Sequence, residues 1–278
     1  MTRRTVVDHP LAGRVATVPY DFTAAALGVA LTGVDTVYVT YWMRFPRGSS
    51  TWEQMVDNVA RLAVAAADAG VRRLVYISVA NARHDASTAY FRAKAAAEDA
   101  VRAAASDSLS VAVVRPTLLY GPADILINNM AWSLRRLPVF GIPGDGEYRV
   151  QPVHVDDVAD VCIRLADEGG DLTVDAAGPE TLTFNELVAT VRGAVRSRAL
   201  AVHLPVPLVL ATTRLMGLVV RDIVLTRDEI TELMESLLVA RDRATTCPTR
   251  FSAWIMQNGR DIGRRWNSEL ARNFRPFR

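Results

Sequence analysis

Tyr90 and Lys94 stand four residues apart in the run Tyr90-Phe-Arg-Ala-Lys94, inside an Ala-rich stretch of helical character. At that spacing two side chains share one helix face, so a phenol and an ammonium can point into one cleft. A free tyrosine, with a pKa near ~10, is a poor acid or base at neutral pH. An adjacent ammonium favours the phenolate and brings that pKa toward the working range, as proton exchange with a substrate oxygen requires. Ser78 closes the apolar run Leu74-Val-Tyr-Ile77, at a predicted strand end where open α/β sheets bind ligands. Its hydroxyl is placed to hydrogen-bond a substrate carbonyl or alcohol.

A Tyr/Lys pair on a helix surface is ordinarily just solvated, so the pattern needs weighing. The chain holds 32 Lys+Arg, and Lys94 is its one lysine. Arginine is always charged and forked, whereas lysine is a compact ammonium of tunable pKa; a lysine that survives so strong a bias marks a task unsuited to a guanidinium. With seven tyrosines in 278 residues, a randomly placed lysine falls four after one in roughly 2–3% of cases. Other candidates fare worse. Asp156 and Asp157 open a predicted helix, where acids stabilise exposed amides. His154 beside them reads as packing or a domain-interface contact, and His9, His84 and His203 lack partners at metal-ligand spacing. The loop Trp42-Met-Arg-Phe-Pro-Arg47 reads equally well as a pocket lining and as a plain loop.

Short β-branched runs alternating with helical stretches must position these residues. Strands are expected at Arg14–Val18, Thr36–Tyr41, Arg73–Ser78, Ser110–Val114 and Leu172–Ala176. Helices are expected at Ala24–Leu31, from the capping box Ser50-Thr-Trp-Glu53 to about Ala69 before Gly70, from about Thr88 to Ala105, near Ile125–Leu137 and within Val153–Ala166. Apolar strands alternating with helices predict an α/β fold: a Rossmann-like, doubly wound parallel sheet. From Thr181, where Thr183-x-x-Glu186 forms another capping box, the chain reads as mostly helical. The expected division is a dinucleotide-binding domain of residues 1–118 plus about 151–177, and a smaller, mainly helical domain of about 119–150 plus 178–278.

A net charge of +2 gives no case for nucleic acid. Arginines near the C-terminus are interleaved with Asp228, Glu229, Glu232, Glu235, Asp242 and Glu269, which reads as a solvated mixed-sign surface. Cys162 and Cys247 make neither a disulfide framework nor a metal cluster. The start lacks a secretory signal, and the apolar segment Leu204–Val220 is broken by Pro205, Pro207 and Arg214, so no membrane span and a cytoplasmic location are expected. The expected partner is a small-molecule substrate, with an oligomer left open.

Four segments in order carry a resemblance: Gly70-Val-Arg-Arg-Leu-Val-Tyr-Ile-Ser78; Tyr90-x-x-x-Lys94 with Glu98; Val114-Arg-Pro-Thr-Leu-Leu-Tyr-Gly-Pro122; and Val153-His-Val-Asp-Asp-Val-Ala159. From about Arg14 onward the chain resembles the extended and atypical short-chain dehydrogenase/reductases, of the NAD(P)-binding epimerase/dehydratase and NmrA-like kind. The region Ser78–Pro122 also resembles the NADPH-binding accessory subunit of respiratory complex I, thought to be structural. The resemblance implies NAD or NADP as cofactor, the type undecided, and Tyr90, Lys94 and Ser78 as the catalytic set. It implies cofactor contacts from Asp21, Phe22, Thr40, Tyr41, Ser78, Lys94, Pro116, Thr117 and Leu118, with Asn58 at a family helix position. An NAD(P)-dependent oxidoreductase or epimerase acting on a small carbonyl, alcohol or sugar-like substrate is one implied function. A non-catalytic sensor or assembly protein is the other.

One family feature is missing. None of the sixteen glycines gives a Gly-rich dinucleotide fingerprint, and thirteen residues before Arg14 leave no room for a βαβ unit of roughly 30. Thr5–Val7 reads as the tail of a second strand, and Asp8 as the residue that would choose NAD over NADP. The expectation is an N-terminally incomplete sheet in a protein whose native chain begins upstream of Met1. The alternative is a chain that has lost dinucleotide binding.

Overall fold

The structure, a computed structural model, describes residues 13–18, 21–241 and 245–274; Thr5–Val7, Asp8 and His9 lie outside them. Helix α1 (Ala24–Leu31) is capped by Thr23, whose Oγ1 accepts from the Ala26 amide, and leads into β1 (Thr36–Val39). Helix α2 (Trp52–Asp68) starts one residue later than its sequence suggests, because Thr51 rather than Ser50 caps it, accepting from the Gln54 amide at 3.2 Å. Gly70 turns the chain away with a φ of 72°, a left-handed conformation that a side chain would strain. Then come β2 (Arg73–Ile77), α3 (Ala89–Ala103), β3 (Ser110–Pro116) and β4 (Leu118–Tyr120). Next are α4 (Leu126–Arg136), β5 (Val139–Pro143), β6 (Arg149–Val150), β7 (Pro152–His154), α5 (Val155–Asp167) and β8 (Leu172–Ala177). The rest comprises β9 (Leu182–Thr183), α6 (Phe184–Ala194), β10 (Leu200–Leu204), α7 (Val206–Val220), α8 (Arg227–Met234), β11 (Thr245–Thr246), α9 (Phe251–Asn258) and α10 (Glu269–Asn273).

Five strands form the main sheet in the order β1-β2-β3-β8-β11, all pairs parallel. Helices cover both faces. Leu74 and Tyr76 of β2 point to one side, into a core with Val59 and Leu62 of α2 and Val101 of α3. Val75 between them points to the other, against Val158, Val161 and Leu165 of α5. That alternation explains why β2 is apolar throughout, each fully buried aliphatic side chain contributing about 1.5–3 kcal/mol. The α/β, Rossmann-like fold is as expected.

A second core gathers Tyr120, Ile127 and Leu134 with Phe184, Leu187 and Phe251. It carries three two-stranded pieces: β10 parallel to β5, β4 parallel to β7 and β6 antiparallel to β9. Thr117 joins the two regions. Pro116 ends β3 in the main sheet, Leu118 begins β4 in the smaller pair, and the Thr117 amide donates to the Ala176 carbonyl at 3.1 Å.

Two expectations need correction. Arg14–Val18 forms no strand; it is a turn followed by irregular backbone, almost wholly exposed. An apolar run becomes a strand only beside a partner, and among the described residues β1 is paired on its β2 side alone. The stretch after Thr181 is mostly helical, as expected, with β10 paired to β5 and β11 added to the main sheet. Finally, the acidic C-terminal surface is not all solvated: Glu232 and Glu269 are buried, and Glu229 pairs with Arg44. Among the described residues, no helix is long and apolar enough to cross a membrane.

Candidate functional site

Helix α3 holds Tyr90 and Lys94 one turn apart, directly beside the carboxyl end of β2. Lys94 is buried, and its Nζ donates to the Ile77 carbonyl at 2.9 Å. The same ammonium lies 4.2 Å from the Trp42 ring centroid and 5.1 Å from that of Tyr76. Burial pulls its pKa down to about 7, with Glu98 opposing only in part. Glu98 is occupied elsewhere: its carboxylate accepts from Arg115 at 2.8 and 2.6 Å and from Arg102 at 2.8 Å. A compact ammonium fits between a carbonyl and two rings where a forked guanidinium would not.

Tyr90 behaves differently from the expectation. Burial, reinforced by the Glu232 and Glu229 carboxylates, raises its phenol pKa, and Lys94 does not reverse that direction. Its ring is edge-on to Trp52 at 5.6 Å and to Trp42 at 6.3 Å, and those two indoles stack on each other at 5.9 Å. The phenol is therefore held protonated under an aromatic cover. Above it, α8 docks on the start of α3: Thr88, the residue before the helix, donates through Oγ1 to Glu232 at 2.9 Å, and Ser87 donates to Glu235 at 2.6 Å. Glu232 is buried, and desolvation lifts its carboxyl to about 7.

Ser78 and Thr117 stand on the carboxyl ends of neighbouring strands. The Ser78 amide donates to the Val114 carbonyl at 2.7 Å, and the Ala80 amide to that of Pro116 at 2.9 Å. Both hydroxyls are buried without a protein partner. A buried hydroxyl left so costs about 1–3 kcal/mol, which marks a place for a polar ligand atom. Pro116 and Leu118 flank Thr117 and are buried as well.

The other expected cofactor residues gather apart from this end. A cleft of about 630 Å³ follows the outer edge of β1, lined by Phe22, Thr40, Tyr41 and Trp42 among others. Phe22 and Tyr41 lie 4.7 Å apart, and Asn58 Nδ2 donates to the Tyr41 hydroxyl at 2.8 Å. Asp21 is exposed and accepts from the Thr23 amide at 2.8 Å, outside the cleft lining. Trp42 connects the two places, since it lines the cleft and covers Lys94. For a nicotinamide and its ribose the residues fit: two partnerless hydroxyls, an ammonium and a phenol converge at one sheet edge. Among the described residues, no Gly-rich turn stands between a strand and α1 to receive a pyrophosphate.

Trp52, Tyr76, Thr88 and Glu232 belong to this site and were not read from the sequence. Trp42 and Trp52, ten residues apart around a Pro-Arg-Gly turn, were the available signal for an aromatic cover. Glu232 carried none, because only the docking of α8 buries it. Among the described residues no cluster of three metal-binding side chains occurs.

The model of the family described as "NAD dependent epimerase/dehydratase family" matches residues 29–174. Over 148 residues the chain is 30% identical to NADH dehydrogenase (ubiquinone) 1 alpha subcomplex subunit 9, mitochondrial, of Arabidopsis thaliana, covering 52% of this chain and 36% of that protein. Over 100 residues it is 37% identical to a protein of Caulobacter vibrioides named ceramide reductase, covering 36% and 30%. The chain thus spans about a third of the length of these two relatives. A nucleoside-diphosphate-sugar epimerase from Staphylococcus aureus superposes with a TM-score of 0.66 at 17% identity, over 91% of this chain and 88% of that one. That last likeness establishes the fold.

Proposed function

The chain belongs to the NAD dependent epimerase/dehydratase family, and from that premise we propose that it is an NAD(P)-dependent oxidoreductase or epimerase acting on a carbonyl, alcohol or sugar-like substrate. The observation that carries the reading is the convergence of Tyr90, Lys94, Ser78 and Thr117 on one sheet edge, the two smaller hydroxyls buried without partners. Ser78 positions the substrate oxygen. Tyr90, held protonated, acts as an acid, giving its proton to that oxygen as negative charge develops on it. Lys94 orients the cofactor ribose and, near its pKa of about 7, shares the proton traffic. The nicotinamide, when bound, supplies the hydride. Residues 1–118 with about 151–177 serve as the cofactor-binding part and the remainder as the substrate part. Cys162 and Cys247 are buried thiols, which agrees with a reducing, cytoplasmic compartment.

A second reading, a non-catalytic NAD(P)H-binding protein, has its own support. Trp42 lies over the Lys94 ammonium, Tyr90 is under two indoles, and one relative is named as a subunit of a larger dehydrogenase. One experiment separates the two. NADH and NADPH are titrated by nicotinamide fluorescence, and hydride transfer is then assayed over aldehydes, quinones and nucleotide sugars with the parent chain and with Tyr90→Phe. The enzyme reading expects turnover that the substitution abolishes while binding persists. Binding without turnover on any substrate class would leave the second reading standing.

A further inference from the structure

A second cleft of about 520 Å³ lies between α4, β5, β10 and α7, well within the ~300–1,000 Å³ of ligand pockets. Its wall is almost wholly apolar: Leu126, Met130, Phe140, Val209, Met216 and Leu233 face it. Most side-chain polar groups on that wall are already engaged. Ser133 donates to the Asn129 carbonyl at 2.9 Å, Asn129 exchanges hydrogen bonds with Asn267 at 3.0 and 2.8 Å, and Thr212 and Thr213 donate to carbonyls of their own helix at 2.9 Å. Arg44 is the one cation among the lining residues, and it is neutralised by Glu229 while donating to the Val224 carbonyl at 3.0 Å. Such a wall offers nothing to a diphosphate, whose charges need free donors or cations.

The mouth has the same character. Leu215 and Val219, 65% and 80% exposed, sit at the rim, so an apolar ligand meets apolar surface before it enters. Two of its lining residues neighbour, along the chain, residues that surround Tyr90 and Lys94. Arg44 is two residues from Trp42, the cover of Lys94; Leu233 lines the cleft while Glu232, its neighbour in α8, holds the residue that precedes the Tyr90 helix.

We propose that this cleft binds the alkyl chain of a lipid-like molecule, with the oxygenated head of that molecule directed toward Tyr90. The first half stands on the cleft alone. The second rests on the catalytic reading above and narrows its substrate class to long-chain carbonyls or alcohols.

The test uses the full chain and cis-parinaric acid, a fluorescent fatty acid, as probe. Saturable binding is expected, weakened about tenfold or more by Met216→Glu, which sets a carboxylate in the apolar cleft. Leu218→Glu, on the 77% exposed outer face of α7 and outside the cleft lining, leaves binding unchanged. Circular dichroism of both variants confirms folding, and cleft-filling Thr213→Phe serves if Met216→Glu does not fold. Equal loss in Met216→Glu and Leu218→Glu would mean surface adsorption and overturn the proposal, as would displacement of the probe by UDP-glucose or no binding at all. Long- and short-chain aldehydes are then compared as substrates. Probe binding with no turnover of either defeats the catalytic reading and leaves the cleft's ligand intact; turnover of short but not long aldehydes, without probe binding, does the reverse.

Discussion

Trp42 lines one cleft and Arg44, two residues on, lines the other, and the two clefts are built from opposite materials. Along β1 the wall is a strand edge continued by Thr40 and Tyr41, and Trp42, the next residue of the lining, rests on an ammonium. Between α4 and α7 the wall is mostly side-chain hydrocarbon, and its one cation, Arg44, is pinned by a carboxylate. Three residues of loop thus divide a place suited to a polar, hydrogen-bonding ligand from one suited to an apolar chain. The first side chain is held by a cation–π contact with Lys94 and the third by an ion pair with Glu229.

The sharpest way to break the comparison is Tyr90→Phe. Removing a general acid costs about 10²–10⁴ in rate; turnover of any carbonyl substrate should fall by that much, with nicotinamide fluorescence titrations unchanged and the apolar cleft untouched. A rate unaltered by the change would remove Tyr90 from the chemistry.

Trp42→Ala acts on the polar side alone. Water then reaches Lys94, and its pKa should climb from about 7 toward the ordinary 10.5 by more than a unit. With a single lysine in the chain, one ¹⁵N resonance reports the titration directly. A pKa that stays near 7 would mean that Tyr76 and the Ile77 carbonyl, not the indole, keep the ammonium dry.

Stability should vary with pH in two opposed limbs that meet near neutrality. The folded chain holds Glu232 at about 7 against an ordinary 4.5, so it binds more protons than the unfolded chain between those values, and stability falls as pH rises through them. Lys94 is depressed, so from about 7 up to about 9 the unfolded chain binds more protons and stability rises with pH; above that, the raised thiols of Cys162 and Cys247 oppose it. Denaturant midpoints across pH should show a minimum close to 7. Glu232→Gln flattens the acid limb and Lys94→Met the alkaline one; a monotonic profile in the parent would contradict both assignments. The smallest effect serves as a control. Thr183→Ala removes the capping box at the start of α6 and costs about 1 kcal/mol, seen as a lower Tm, with both clefts binding as before.

Where local periodicity decides the outcome, the residues were readable. The bounds of α1, the apolar run of β2 and the Tyr90–Lys94 spacing all followed from side-chain period and composition. The parts that failed depend on distant partners. Arg14–Val18 has strand composition but no neighbouring strand among the described residues. Strand β10 is mostly exposed and exists because β5 lies beside it. The expected drop in the Tyr90 pKa assumed a solvated pair; a buried pair with Glu232 and Glu229 nearby gives the opposite direction, because desolvation dominates. Sequence spacing can say that two groups share a face, but not what medium surrounds them.

Placing the only lysine beneath an indole has a practical outcome. Amine-reactive reagents find a single side-chain target in this chain, and an amine with a pKa of about 7 is largely unprotonated at mildly alkaline pH. What restrains the reaction is the enclosure of its nitrogen by the Trp42 ring at 4.2 Å, the Tyr76 ring and the Ile77 carbonyl. The labelling rate of Lys94 therefore reports how often that enclosure opens, so that ordinary acylation chemistry becomes a clock for access to the site, readable by mass spectrometry on the unmodified protein.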